Sequence, residues 1–385
     1  MPIPGPISTE DDCLPGSRAR RWPRPAGRRL LALAGAALAG LGLLLGGCSP
    51  ATSSPAATAT RAPAQPTSAA VAPPTAAVAA PTAPPAPVSI TLGPVGPNAL
   101  LWTSYVAMNK GLFEQAGVKV DVTFTGSTAN TTQQLVAGAI DIGHGSVDSY
   151  VRAIEAGAPI VAVAGEQATP TYSLLGQPSL SGVADLRGKL VMIGGPKDPT
   201  LFFIQRMLRP NGLADGDYEL AYAGSTGDRF SALQSGGVAA GLLTQPFDFA
   251  AERQGYRRLV DQWDYPLDYQ FIGYGVRRDW AQSHEDALVR YLRGFRAASR
   301  WLHDPANRDA AVALLSDEVK LQPEDAQATY DLLIARLKAF SPEGVIAERA
   351  MQGVLDSIVA LGDLPAPPPP VSKYLDNRYI EAAGR

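Results

Sequence analysis

Three side chains that could take part in chemistry lie close together in the segment VAGAIDIGHGSVDSY, residues 136–150. They are His144, Ser146 and Asp148, and glycines flank the histidine. A serine nucleophile on a sharp strand-to-helix turn needs glycine two positions before it and two positions after it. Here those positions hold His144 and Asp148. The spacing therefore favours a loop that hydrogen-bonds a bound molecule, and the simpler alternative is a histidine bonded only to backbone.

The composition argues against a metal site, a cofactor and a nucleic-acid partner. The 385 residues include three histidines and two cysteines, Cys13 and Cys48, both of which precede the region expected to fold. A multi-histidine or cysteine metal site and an internal disulfide are therefore not expected. The net charge is −3, and no basic block occurs after the first thirty residues. This pattern excludes a basic nucleic-acid-binding surface.

The N-terminal segment predicts export and attachment to a membrane. Six arginines between positions 18 and 29 precede the apolar stretch 30–47, which ends in LLLGGCSP. A basic segment followed by a short apolar one is typical of a signal peptide. The ending resembles the lipobox of bacterial lipoproteins, which implies cleavage after residue 47 and a lipid on Cys48. The alternative is an ordinary signal peptide, and Arg28 and Arg29 leave the twin-arginine export route open.

Residues 48–87 predict a disordered, lipid-anchored linker. The segment consists mainly of Ala, Pro, Thr and Ser, with Arg61 as its one charge. It has too few large apolar side chains to offset the entropy lost on ordering, and proline keeps such a chain extended. We expect a spacer that holds a folded part away from a membrane.

The region after residue 87 predicts an α/β fold. Residues 118–124 alternate apolar and polar side chains, as a half-buried strand does, and residues 160–165 and 189–195 have the composition of buried parallel strands. Between the strands lie helical segments, one ended by Gly138 and one with Asp148 as the expected N-cap and Gly157 after its end. Alternation of strands and helices indicates mainly parallel sheets.

A weak internal repeat predicts two similar halves. AGAIDIGHGS (137–146) aligns without gaps with SGGVAAGLLT (235–244), and Ser146 falls opposite Thr244. Each unit has a helix end, a glycine, a strand and then a loop with a hydroxyl side chain. Ligands bind at this carboxyl edge of strands in open α/β sheets.

Three further loops open helices with small or capping residues. The first, GGPKDPTLFF (194–203), places Asp198 as a cap before a proline, and its lysine lacks the spacing of a phosphate loop. The others are GSTAN (126–130) and GSTGD (224–228). Helix N-termini of this kind can direct free N–H groups at a ligand, and capping without a ligand is the alternative. The amphipathic helices predicted after residue 280 are core elements.

Five segments together resemble the periplasmic substrate-binding proteins of ABC importers. They are SYVAMNKGLFEQAGVKVDV, QQLVAGAIDIG, SLSGVADLRGKLVMI, ALQSGGVAAGLLTQPF and FRAASRWLHDPANRDAAVALL. The similar subgroup serves nitrate, sulfonates, taurine, thiamine pyrimidine precursors and riboflavin. The resemblance implies a two-lobed type II fold with two crossover strands, 171–176 and 271–276. It places the first lobe at 88–182 and 269–385, and the second at 183–268.

The same resemblance implies a ligand site in the cleft between the lobes. The positions that match the family's pocket are Trp102, Ser104, Tyr105, His144, Ser146, Asp148, Gly195, Asp198, Thr200, Tyr222, Ser225, Thr244, Gln245 and Phe247. Aromatic side chains stack on flat rings, and carboxylates accept hydrogen bonds from ring amines. We therefore expect a flat heteroaromatic ligand, such as a thiamine pyrimidine precursor or riboflavin. If the two aspartates only cap helices, a small anion such as nitrate, a sulfonate or taurine is the alternative.

The resemblance implies a solute-binding lipoprotein without enzymatic activity. It would be a monomer outside the cytoplasm, held at the membrane only by the lipid on Cys48, and would deliver its ligand to ABC permease subunits. Two other classes stay open. One is an enzyme similar to the pyrimidine synthase of thiamine biosynthesis, whose cysteine-rich motif is missing after Cys48. The other is a ligand sensor that signals to a membrane kinase.

Overall fold

The computed structural model describes residues 87–385 as a two-sheet α/β structure. The predicted signal peptide, the lipidation site Cys48 and nearly all of the linker lie outside the described residues. The ten strands are β1 (Val88–Pro94), β2 (Val118–Val122), β3 (Ile142–Ser146), β4 (Ile160–Gln167), β5 (Ser173–Gly176), β6 (Leu190–Ile193), β7 (Glu219–Tyr222), β8 (Ala240–Leu243), β9 (Arg257–Asp261) and β10 (Ile272–Arg277).

Helices connect and cover the strands. They are α1 (Trp102–Asn109), α2 (Leu112–Gln115), α3 (Thr128–Ala137), α4 (Val147–Glu155), α5 (Pro199–Leu208), α6 (Thr226–Gln234), α7 (Phe247–Arg253), α8 (Arg278–Ser283), α9 (Glu285–His303), α10 (Arg308–Val319), α11 (Pro323–Tyr330), α12 (Glu348–Ala360) and α13 (Arg378–Ala382). A π-helical segment, Asp331–Arg336, continues α11. Within the described part of the chain, no helix has both the length and the apolar character needed to cross a membrane.

The first sheet has the strand order β2-β1-β3-β10-β4. Strands β1, β2 and β3 pair in parallel, whereas β10 runs antiparallel to both of its neighbours, β3 and β4. Four of the five strands therefore point the same way, as a mainly parallel sheet requires. The segment 160–165 is buried as predicted, but its partner among the ten strands is the antiparallel β10. Its parallel pairing among the described residues is limited to an isolated bridge between Ala162 and Leu375.

The second sheet has the order β7-β6-β8-β5-β9, and β5 is its one antiparallel strand. The sequence assigned residues 173–176 to the end of the first lobe, but these residues form β5 inside the second sheet. We call the first sheet with its helices the first lobe, and the second sheet with α5, α6 and α7 the second lobe. The chain crosses between the lobes at residues 168–172 and again at residues 262–271.

The internal repeat corresponds to one structural unit in each lobe. After α3, Gly138 has φ 73°, and after α6, Gly236 has φ 74°, so both glycines occupy the left-handed region that favours glycine. A buried strand and then a helix follow in each lobe, β3 and α4 or β8 and α7. The predicted cap of α5 is confirmed, because the Asp198 carboxylate accepts a hydrogen bond from the Thr200 N–H at 3.0 Å. The predicted cap of α4 is wrong, since Ser146 occupies the N-cap position and Asp148 lies in the first turn.

Aromatic side chains pack where the chain crosses between the lobes. Tyr172 comes from the first crossing and Phe271 from the second, with ring centroids 5.3 Å apart. Phe203 of α5 packs against both rings and against Tyr269. The lobes therefore share an apolar contact on the side where the chain connects them.

Candidate binding site

A cavity lies between the lobes, at the carboxyl ends of strands from both sheets. From the first lobe it is lined by Val95, Gly96, Asn98, Leu100, Thr128, His144, Gly145 and Ser146, and from the second by Asp198, Pro199, Gly224, Thr226, Arg229 and Thr244. Tyr172, Phe271 and Ile272 from the crossing region and β10 complete the wall. Its volume is about 40 Å³, which is room for about three water molecules.

Arg229 is the only lysine or arginine among the residues that line this cavity. The side chain is 3% exposed. Nε donates to the carbonyl of Leu242 at 2.6 Å, and Nη1 donates to the carbonyls of Ala223 and Gly224 at 2.9 and 3.0 Å. None of these three bonds uses Nη2. These hydrogen bonds all go to backbone carbonyls, and no ion pair between Arg229 and a carboxylate occurs among residues 87–385. A buried cation without a counter-ion is costly, so this wall favours an anionic ligand.

Two helices begin at the cavity, one from each lobe. Thr128 and Thr226 are the first residues of α3 and α6, and both line the cavity. The capping serines Ser127 and Ser225 accept hydrogen bonds from the N–H groups of Asn130 and Asp228. The N–H groups at the first two positions of each helix have no acceptor within the helix. Together with the helix dipole, they add positive potential beside Arg229.

Thr244 supplies a hydroxyl without a partner. Its Oγ1 is buried and has no hydrogen bond within residues 87–385, although the residue lines the cavity. Its backbone N–H donates to the Thr226 hydroxyl at 3.1 Å. An unpaired buried hydroxyl costs free energy that a ligand acceptor would recover. The repeat unit of the second lobe therefore presents a hydroxyl at the position that the sequence predicted.

His144 connects the cavity to a buried polar network. Its Nε2 lies 2.7 Å from Oε2 of Glu166, which is 1% exposed. The same oxygen accepts a hydrogen bond from the Tyr274 hydroxyl at 2.7 Å, and that hydroxyl lies 3.0 Å from Oγ of Ser104. Because Nε2 is committed to Glu166, Nδ1 is the ring nitrogen left for a molecule in the cavity.

The two aspartates that favoured a heteroaromatic ligand are both engaged within the protein. Asp198 lines the cavity, but its Oδ1 accepts from the backbone and the hydroxyl of Thr200 at 3.0 and 2.6 Å. Asp148 is buried behind the wall, where it accepts from Ser146 at 2.9 Å and from Arg152 at 3.3 Å. Burial raises the pKa of Asp148 to about 6, Arg152 opposes the shift, and Asp198 adds to it.

Four of the predicted site residues line the cavity: His144, Ser146, Asp198 and Thr244. Gly195 and Tyr222 lie instead on a wider groove outside it, and Tyr222 is 50% exposed. Whether any of these residues binds a ligand stays a prediction.

The other predicted side chains do not line the cavity. Trp102 and Tyr105 are buried in the first lobe's core, where the Trp102 indole donates to the Ala311 carbonyl. Ser104 serves the network beneath His144, and Thr200 and Ser225 bond at helix starts. The Gln245 amide donates to Asp248, and Phe247 packs against Phe230. Asp148 belongs to this group as well. These positions lie near the carboxyl ends of strands, but neighbouring protein atoms occupy their polar groups or faces.

The sequence analysis missed several groups at the cavity and just beneath it: Asn98, Thr128, Glu166, Tyr172, Thr226 and Arg229. Arg229 had a detectable signal. It lies four residues after the capping Ser225, near a helix N-terminus, where the dipole disfavours a cation. A buried glutamate such as Glu166 inside an apolar strand was a second signal. No group of three or more His, Cys, Asp or Glu side chains that could hold a metal occurs in residues 87–385.

Contacts across the cleft hold the two lobes together around the cavity. The Ala99 N–H of the first lobe donates to the Gln245 carbonyl of the second at 3.2 Å. Gly224 packs so closely on Ser127 that a Cβ on the glycine would lie 2.5 Å from the serine Cβ. Arg253 of α7 forms a two-point ion pair with Asp325 of α11, at 3.1 and 2.6 Å. The lobes are therefore in contact on both sides of a narrow cleft.

The two lobes and the cleft between them define the periplasmic-binding-protein fold, which solved structures share. The nitrate-binding protein NrtA from Synechocystis PCC 6803 is 17% identical with a TM-score of 0.65, covering 77% of this chain and 88% of that one. The alkanesulfonate-binding protein SsuA from Xanthomonas axonopodis pv. citri is 18% identical with a TM-score of 0.61, covering 77% and 98%. The desulfurization enzyme DSZB is 14% identical with a TM-score of 0.57, also covering 77% and 98%.

The family model described as NMT1/THI5 like matches residues 100–307, more than half of the chain. The chain belongs to this family. The match includes all of the second lobe and the cavity residues from Leu100 to Ile272. A comparison of the sequence with curated proteins gives no match.

Proposed function

We propose that this protein is the solute-binding component of an ABC importer and that it captures a small anion in the cavity between its lobes. The observation that carries the proposal is Arg229, a buried cation at the cavity wall without a carboxylate partner among the described residues. The similarity in fold to nitrate-binding and alkanesulfonate-binding proteins supports the same class of ligand.

A sulfonate or nitrate fits this site better than the flat heteroaromatic ring that the sequence favoured. The heteroaromatic argument needed free carboxylates, but Asp198 accepts from Thr200 and Asp148 lies behind the wall. Asp198 is the one carboxylate that lines the cavity, and Arg229, two helix N-termini and the Thr244 hydroxyl oppose its charge there. In the arrangement described, the cavity of about 40 Å³ has no room for riboflavin.

Binding in this proposal closes a hinge around the anion. Arg229 and Thr244 from the second lobe and the α3 N-terminus from the first would bond the same ligand. The ligand then bridges the lobes and favours the closed arrangement, in which Ala99 reaches Gln245. A permease in the membrane would recognise this closed form.

Capture without chemical change is the proposed role, although DSZB has a similar fold and is an enzyme. The chain has no cysteine after Cys48 to act as a nucleophile. The predicted lipid on Cys48 and the linker 48–87 would hold the protein outside the cytoplasm beside its permease. A sensor that passes the same closed form to a membrane kinase is the remaining alternative, and the neighbouring genes would distinguish it from a transport protein.

A ligand screen tests the proposal. The purified full-length chain is heated with nitrate, ethanesulfonate, taurine, riboflavin or a hydroxymethylpyrimidine, and the melting temperature is recorded for each. A ligand at 100 times its Kd stabilises the folded state by about 2.7 kcal/mol. We expect a concentration-dependent rise with at least one anion and none with the neutral rings. A rise with riboflavin or the pyrimidine alone would overturn the anion, and a chemically altered ligand after incubation would overturn binding without catalysis.

A further inference from the structure

The proposed function assigns no role to the buried pair His144 and Glu166. Glu166 does not line the cavity, but its Oε2 lies 2.7 Å from Nε2 of His144, which does line it. The same oxygen accepts a hydrogen bond from Tyr274 at 2.7 Å. The pair therefore sits beneath the site, with one histidine nitrogen fixed and the other available to a ligand.

The number of protons on this pair decides what His144 presents to the cavity. With one proton, Nε2–H donates to an ionised Glu166, and Nδ1 of His144 carries a lone pair. With two protons, Nδ1 carries a hydrogen and donates, whether the second proton rests on the imidazole or on the carboxyl group. The pair is neutral in the second state and carries one negative charge in the first. An anion beside Nδ1 is compatible only with the second state.

We propose that Glu166 is a positioning residue that makes anion binding take up one proton at His144. The inference rests on the proposed function, because it concerns the same cavity and the same class of ligand. Glu166 acts only through the histidine: it fixes which ring nitrogen faces the ligand, and it makes that nitrogen a donor only when a proton is bound. Anion affinity then falls as the pH rises above the range in which the pair holds two protons.

The other charged and titratable groups around His144 would not produce the same pH dependence of anion binding. Tyr274 on β10 donates its hydroxyl hydrogen to Glu166, and burial and the Glu166 charge raise its pKa well above the usual value. Across the cavity, Arg229 donates to three backbone carbonyls, and Asp198 accepts from Thr200. Tyr172 also lines the cavity, and burial, with Asp198, raises its pKa. Asp148, whose pKa burial raises to about 6, is a competing source of pH dependence near neutrality.

The test measures the Kd of the full-length chain for ethanesulfonate and for nitrate by calorimetry from pH 5 to pH 9. Above the pH range in which the pair holds two protons, we expect the Kd to rise by up to tenfold per pH unit, which is the slope for one proton taken up on binding. In Glu166→Gln, an amide nitrogen in the place of Oε2 can donate both to Nε2 of His144 and to the Tyr274 hydroxyl, which then donates to Ser104. A neutral imidazole then presents Nδ1–H. Binding should persist in this variant while the slope disappears. In Asp148→Asn the slope should remain.

Nitrogen NMR of the histidines gives a readout without mutation of the pair. The chain has only three histidines, so a His144→Gln spectrum identifies the His144 signals. The free protein at high pH should show the Nε2–H tautomer, and ethanesulfonate should convert it to a form protonated at Nδ1. A flat pH profile in the wild type, a slope that survives Glu166→Gln, or an Nδ1–H tautomer in the free protein would overturn the inference while anion binding stands. If neither anion binds at any pH, the proposed function fails and the inference with it.

Discussion

Replacement of Arg229 by glutamine is the most direct test of the anion site. The change removes the only Lys or Arg charge of the cavity wall and keeps a polar side chain. Hydrogen bonds to a charged group contribute about 1.5–3 kcal/mol, and the buried site lies toward the upper end of that range. A loss of about 3 kcal/mol corresponds to an affinity for ethanesulfonate or nitrate roughly 100-fold weaker.

Arg258→Gln is the matched control in the same lobe. Arg258 is also largely buried, but it pairs with Asp248, Glu252 and Asp261 and does not line the cavity. We expect this variant to lower the melting temperature of the free protein and to leave the Kd within about twofold of the wild type. Arg229→Gln will also lower the melting temperature, because it removes donors from three carbonyls.

Calorimetry at fixed pH and salt separates the two effects, since it measures affinity on protein that is still folded. Arg229→Lys should fall between the wild type and the glutamine variant, because it keeps the charge but lacks the forked donors. The reasoning would be refuted if Arg229→Gln bound both anions within about twofold of the wild type. It would also be refuted if Arg258→Gln lost affinity to the same extent.

Three other predictions concern closure and pH. Gly224→Ala should weaken anion binding about tenfold, because the new Cβ would meet Ser127 when the lobes close and overpacking costs about 1–3 kcal/mol. The melting temperature of the free protein should change little, since this contact forms only on closure. An unchanged affinity in calorimetry would contradict the prediction. Asp325→Asn should weaken binding about fivefold by breaking the ion pair with Arg253, a loss of about 1 kcal/mol, and an equal Kd at low salt would argue against it. The pKa of Asp148 is 3.8 in the unfolded chain and about 6 in the folded protein, so the free energy of unfolding should fall by about 3 kcal/mol as the pH rises through this range. Denaturant melts of Asp148→Asn should not show this loss of stability.

The elements of the fold were predictable where a local physical constraint decided them. Left-handed glycines at Gly138 and Gly236 and the cap at Asp198 each follow from a few neighbouring residues. Strand partners were less accessible, because the direction of β4 and the sheet of β5 depend on where the chain crosses between lobes. Local composition carries no information about such distant pairing.

The candidate site was predictable in position but not in charge. Family resemblance and the repeat led to His144 and Thr244, which line the cavity. The same reasoning included Trp102, which packs into the core, and overlooked Arg229, which determines the ligand class proposed here. The place of Arg229 near a helix N-terminus distinguishes it from most other arginines, but it does not tell whether the side chain meets solvent, a carboxylate or a cavity. Only the tertiary contacts of its guanidinium group distinguish these cases.

The strand order also has a consequence for biosynthesis. All five strands of the second sheet come from one continuous stretch, residues 173–261, whereas the first sheet needs β10 between β3 and β4. As the chain is made from its N-terminus, β4 therefore has no partner strand until residues 272–277 have emerged. The second lobe can assemble while the first is still incomplete, and His144, Glu166 and Tyr274, which lie on β3, β4 and β10, meet only at that late step.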